Sequence, residues 1–170
     1  RIDDFLALRT LSPVAGEVTD PELGLVVLAG FVREDLERIC DRFRLSNAER
    51  DRMRTAWAAM KSFRQRPDLP DAKALIYEFG RQGAIDGLLA HWAGQKARGQ
   101  ATDAIFEDLL SRLRQSALPV FPLKGADLIA TGHAPGPALG DQLKRLETNW
   151  RDSGFSLSKE DLMRLAGACS

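Results

Sequence analysis

Apolar residues recur at spacings of three and four from Leu23 to Leu165, and no stretch alternates as a half-buried strand would. That period lines side chains up on one face of an α-helix. The chain is therefore expected to be all-α, a multi-helix bundle or curved helical array with no sheet. Asp20 and Pro21 cap and begin a first helix burying Leu23, Val26, Val27 and Leu28, with Gly30 near its end. A second helix, Arg33 to Arg44, turns Leu36, Ile39, Cys40 and Phe43 inward. Ser46 and Glu49 form a capping box ahead of a helix striped by Met53, Trp57, Met60 and Phe63. The two prolines of Arg66-Pro67-Asp68-Leu69-Pro70 break the pattern. Asp71 caps the next helix, with Leu75, Ile76 and Phe79 inward, and Gly80 to Gly83 bends it before Ile85, Leu88, Leu89 and Trp92. Gly94 to Gln100 reads as a polar turn. Thr102 caps a helix burying Ile105, Phe106, Leu109, Leu110 and Leu113, and Ser158 opens a last short one with Leu162 and Leu165.

One stretch does more than continue this rhythm. From Pro119 to Trp150, two helical segments flank a Gly132-His133-Ala134-Pro135-Gly136-Pro137 elbow. Gly132 is placed to end the first segment in the left-handed conformation, and Pro137 suits the first turn of the second. The backbone N–H groups of Ala138, Leu139 and Gly140 are then expected to point outward at the positive end of a helix dipole, a site suited to phosphate. Leu139, Leu143, Leu146 and Trp150 make that helix's apolar face. The division expected is a helical body over 1–118 and a C-terminal helical tail over 119–170, closely packed on it.

Lys124-Gly125-x-Asp127-Leu128, followed by Gly132-x-x-Pro135-Gly136-Pro137-x-x-Gly140-x-x-Leu143 and Trp150, resembles the C-terminal region of bacterial tRNA CCA-adding enzymes. These are tRNA nucleotidyltransferases of the poly(A) polymerase family. Arg44-Leu45-Ser46-Asn47-Ala48-Glu49 is similar to the segment that opens the family's helical body, so the resemblance runs over about residues 40 to 155, in family order. It implies that the C-terminal helices cradle tRNA through its backbone. Motif matching carries this to Lys124, Gly125, Asp127, Gly132, Pro135, Gly136, Pro137 and Gly140, with Asp127 read as a cap rather than an RNA ligand. It also implies a reaction, the addition of nucleotides to tRNA 3′ ends with Mg²⁺ and CTP or ATP. That reaction needs a Gly-Ser or Gly-Gly followed by Asp-x-Asp, whose carboxylates hold two metal ions, and this chain carries no such pattern. The catalytic domain is expected N-terminal to Arg1 in the same polypeptide, with no cofactor in this chain. The opening Arg1-Ile2-Asp3-Asp4, without an initiator Met or signal peptide, fits a piece of a longer protein.

Charge and cysteine content narrow the alternatives. Lys plus Arg and Asp plus Glu are each 24, so any basic surface has to come from local patterning. Lys124, Lys144, Arg145 and Arg151 gather around the elbow in sequence, with Arg112 and Arg114 ending the helix before it. Such a patch binds duplex phosphates without reading bases; the alternative is a solvated face, with Asp141 and Glu147 balancing Lys144 and Arg145. His133 is a donor for a phosphate or a 2′-OH, or else a loop residue bonded to its own backbone. Lys124, Gly125, Gly132, His133, Gly136, Pro137, Gly140, Lys144, Arg145 and Arg151 form the expected RNA-binding set, without catalytic or metal-binding residues. His91 reads as a structural core histidine. Glu34-Asp35-x-x-Arg38 matches the family's base-reading pattern but abuts the helical body, and is taken as coincidence. Cys40 and Cys169 lack Cys-x-x-Cys spacing or a nearby His, which suits reduced thiols in the cytoplasm. The apolar run Val26 to Phe31 is too short to span a membrane. Two other classes stay open: a helical module that binds duplex DNA through the glycine-led elbow, and a helical protein–protein adaptor.

Overall fold

The computed structural model describes residues 2–11, 21–30, 32–65 and 70–167. The described residues are helical, with no strand among them, in the order α1 (Ile2–Thr10), α2 (Pro21–Ala29), α3 (Arg33–Arg42), α4 (Asn47–Gln65), α5 (Ala72–Ala97), α6 (Asp103–Gln115), α7 (Gly125–Ala130), α8 (Pro137–Asp152) and α9 (Lys159–Gly167). Asp20 as a cap, Phe31, the Arg66-Pro67-Asp68-Leu69 break and Cys169 lie outside the described residues. The chain divides into two compact units, Arg1–Leu118 and Pro119–Ser170.

In the first unit, α4 and the later arm of α5 set the frame. A Cβ added to Gly83 would stand 2.3 Å from the Thr55 methyl, and one added to Gly87 2.4 Å from the Ala59 Cβ. The His91 ring stacks on Phe63 at 5.5 Å. Pairing 55 with 83, 59 with 87 and 63 with 91 means the two helices run in the same direction here, held close by glycines at one-turn spacing. The earlier arm returns the chain, and the corner between the arms is Gly80, whose φ of 69° and ψ of 164° are not helical. Arg81, the next residue, caps α6: its guanidinium donates to the Leu113, Arg114 and Ser116 carbonyls. Orphan carbonyls at a helix end need such donors.

The core of this unit joins Leu8 and Leu11 to Met60, Phe63, Leu75, Leu88 and Trp92, and to Leu109 and Leu113 of α6. A second cluster holds Val26, Leu36, Cys40, Met53 and Ala56. Asp86, buried in the same frame, accepts from the Arg52 guanidinium at 2.9 Å and the Gln82 amide at 2.9 Å. Such pairing is what a buried carboxylate requires.

The α3–α4 corner explains why Arg44-Leu45-Ser46-Asn47-Ala48-Glu49-Arg50 reads as it does. Arg44 takes φ 53° and lets the Leu45 N–H return to the Cys40 carbonyl at 3.0 Å. Ser46 and Glu49 complete the capping box, with the Ser46 N–H donating to the Glu49 carboxylate at 2.7 Å. Arg50 then clamps the corner through Leu45 O, Cys40 O and the Asp41 carboxylate. Within α3, Arg38 pairs with Asp35, and Glu37, between them, takes a bidentate contact from Arg54.

Several expectations need correction. The helix at Ile2–Thr10 was not anticipated, although Leu8 and Leu11 are buried. The second predicted helix stops at Arg42, and the reversal at Arg44 leaves Phe43 59% exposed rather than inward. Gly94 is buried within α5; the helix ends where Gly99, at φ 67°, lets the Gly99 and Gln100 N–H groups return to Lys96 and Gln95. Thr102 holds the N-cap position of α6 without a side-chain bond to it. Ile105 is 53% exposed because it lies to one side of the Phe106–Leu109–Leu110–Leu113 stripe. Leu165 is 38% exposed, and Ala166 takes the inner position beside Leu162.

The second unit is built on Leu123, Leu128, Leu146, Trp150 and Leu162, all buried. Phe121 and Phe155 bracket the Trp150 ring at 5.5 Å and 4.9 Å. Gly125 lets α7 approach α8, with the Leu139 and Leu143 methyls 3.7 Å from where its Cβ would be. Ser158 and Asp161 cap α9 reciprocally.

Candidate nucleic-acid interface

The elbow residues have specific local jobs. Gly132, at φ 100°, ends α7: its N–H donates to Ile129 O at 3.0 Å and the His133 N–H to Leu128 O at 3.2 Å, the paired bonds of a Schellman motif. Gly136, at φ 151°, is the N-cap of α8 and Pro137 is its first helical residue. Neither glycine has any atom within 4 Å of where a Cβ would stand, so conformation alone demands them.

Gly140 differs. It lies in the first turn of α8 with helical backbone, and a Cβ there would also meet nothing within 4 Å. Neither conformation nor packing explains its missing side chain, although glycine inside a helix costs about 1 kcal/mol against alanine. The fan of three free donors is smaller than expected, because the Leu139 N–H is spent on Gly136 O at 3.1 Å.

His133 is turned toward its own backbone. Its Nδ1 donates to Leu128 O at 3.0 Å, while Nε2 is covered and has no partner among the described residues. Asp127 acts as a cap and anchor: it accepts the Lys124 N–H at 2.8 Å and the Lys159 ammonium at 2.6 Å. Lys159, first, and then the Lys124 N–H hold its carboxyl below the usual carboxylate range.

The cations do not form one surface. At 3.6 residues per turn, Gly140, Lys144 and Arg151 share one flank of α8. Arg145 lies on the other, where it lines a groove against α9 with Asp141, Gln142, Asn149 and Leu165. Lys124, Lys144 and Arg145 are exposed and form no ion pair among the described residues. Asp141 and Glu147 thus leave Lys144 and Arg145 unpaired, whereas Arg112 of the first unit is bound to Asp108. Asn149 and Gln142 were not singled out from the sequence. The signal for Asn149 was the polar stripe Asp141, Arg145 and Asn149 at four-residue steps.

Among the described residues no three of His, Cys, Asp or Glu come together as metal ligands would, and no helix is long and apolar enough to cross a membrane. No protein-family model matches the chain. The human mitochondrial CCA tRNA nucleotidyltransferase 1 is 33% identical over 55 residues, which are 32% of this chain and 13% of that protein. The zebrafish and mouse proteins of the same name match at 36% and 33% over the same length and shares. The matched stretch thus spans a small part of those relatives. Over that third of its length, the chain is related in sequence to CCA-adding tRNA nucleotidyltransferases.

Proposed function

We propose that residues 119–170 bind tRNA through its phosphate backbone, as the C-terminal region of a bacterial, cytoplasmic nucleotidyltransferase of the CCA-adding and poly(A) polymerase type. The observation that carries this reading is Gly140, bare of a side chain for no reason internal to the fold, beside Lys144 on the same flank of α8. A phosphate can approach such a helix start closely, drawn by the dipole and the ammonium. The relationship to CCA-adding enzymes supports tRNA as the nucleic acid. The addition of nucleotides, with Mg²⁺ and CTP or ATP, we assign to an N-terminal catalytic domain of the same polypeptide. The part we assign to residues 119–170 is to hold the RNA.

The test separates folding from binding. Gly140→Ala removes a helix-interior glycine and is expected to stabilise the protein by up to about 1 kcal/mol, while weakening tRNA binding severalfold. Gly140→Leu is expected to weaken it further, and Lys144→Ala to weaken it while flattening its salt dependence. Thermal melting and tRNA titration of the same samples read both effects. If Gly140→Ala and Gly140→Leu stay folded and bind tRNA like the unaltered chain, the elbow is a structural corner and the proposal fails.

A further inference from the structure

We propose that the groove between α8 and α9 holds a single unstacked nucleotide of the bound RNA, with its base on the Leu146–Leu165 floor and its phosphate on Arg145. The inference rests on the RNA-binding reading above and goes beyond it, since phosphate contact along the Gly140 flank needs no groove.

The groove has a volume of about 420 Å³, inside the range of roughly 300–1,000 Å³ common for small-ligand pockets. Its floor is apolar, from Leu146 and from Leu165, which leaves part of its side chain uncovered. Its rim carries Asp141, Arg145 and Asn149, whose side chains make no hydrogen bond or ion pair among the described residues. Gln142 is anchored by its amide nitrogen to Ala166 O at 3.2 Å, which leaves its carbonyl oxygen for a ligand.

This combination selects among occupants. An aliphatic chain would leave the carboxylate, guanidinium and amides idle. A paired duplex offers only base edges and cannot lay a base face on the floor. An unpaired base offers both a flat face and an edge with donors and acceptors, the form in which RNA sequence is usually read. Asp141 accepts from an amino-bearing edge, Asn149 donates and accepts, and Arg145 takes the adjoining phosphate.

The experiment compares an RNA hairpin carrying a single-stranded loop with a blunt duplex of equal length, titrated with the full chain across a salt series. The hairpin is expected to bind about tenfold tighter, the scale of one bound base. Asn149→Ala and Leu165→Glu are each expected to reduce that preference to near unity; Asn149→Ala, which changes no charge, is also expected to leave duplex affinity and its salt slope unchanged. Asn149 is exposed, so its variant keeps the test valid should Leu165→Glu disturb α9. Equal binding of hairpin and duplex by the unaltered chain overturns the inference, as does an undiminished preference in folded Asn149→Ala. In both cases salt-dependent duplex binding leaves the phosphate-binding reading standing. Failure to bind either RNA overturns both.

Discussion

His91 shows how one side chain ties stability to pH. It is 6% exposed, stacked on Phe63 and tilted against Phe106, and its Nδ1 has no partner among the described residues. Burial first, and then the charges of Arg64 and Arg98, push its pKa down to about 4. Above pH 6.5 the ring is neutral whether the chain is folded or not. Between 6.5 and 4 the unfolded chain takes up a proton that the folded one refuses, so stability falls as pH falls and levels off below 4. The loss attributable to His91 is at most about 3 kcal/mol. Urea midpoints from pH 7.5 to 4 should therefore drop more steeply in the unaltered protein than in His91→Phe, which keeps the ring and removes the titration. Parallel curves would mean that His91 takes up its proton equally in both states. That this histidine is structural was legible in the sequence, from its place beside Trp92 in an apolar helix. The covered Nε2 of His133 was not, because it depends on how the elbow folds back on Leu128.

At the scale of elements, α5 turns on two glycines that act for different reasons. Gly80 has open space around it and needs its backbone conformation, whereas Gly87 is helical and needs its missing side chain. Gly80→Ala should cost on the order of 1–3 kcal/mol through strain alone. Gly87→Ala drives a methyl to within 2.9 Å of the Met60 backbone nitrogen and 2.4 Å of the Ala59 Cβ; overpacking of this kind costs about 1–3 kcal/mol. An additional Ala59→Gly change should recover part of the loss at Gly87 and nothing at Gly80, as measured by urea denaturation of the single and double variants. Equal recovery at both positions would mean that α4 and α5 do not meet through these glycines. The bend at Gly80 was readable from glycine spacing, and the Ser46–Glu49 and Asp71 caps from residue type. The α1 helix was missed because its apolar residues form no clean stripe. Phe43, Ile105 and Leu165 were misplaced because periodicity identifies a face but not how much of it a neighbouring helix covers.

For the whole molecule, electrostatics sets a limit on how nucleic acid can be held. Basic and acidic residues are equal in number, at 24 each, so no long-range positive field draws RNA in and binding has to rely on particular cations. In the 119–170 unit, Lys159 is committed to Asp127 and Arg164 to Asp161, and Arg151 also has a partner. Lys124, Lys144 and Arg145 remain, so about three phosphates can be neutralised without breaking an existing pair. Releasing the counterions of three phosphates gives a slope of log affinity against log salt of roughly −2 to −3. Lys124→Ala and Lys144→Ala should each reduce it by up to about one, because each removes one phosphate contact. The slope is measured by titrating tRNA between 50 and 300 mM salt, on the order of the range in which such effects are large. A slope near zero would favour a protein–protein adaptor. A slope steeper than about −5 would require cations outside these three and would move the interface away from the elbow. The same series with duplex DNA separates the remaining alternative, since a DNA-binding elbow would hold DNA at least as tightly as tRNA at every salt concentration.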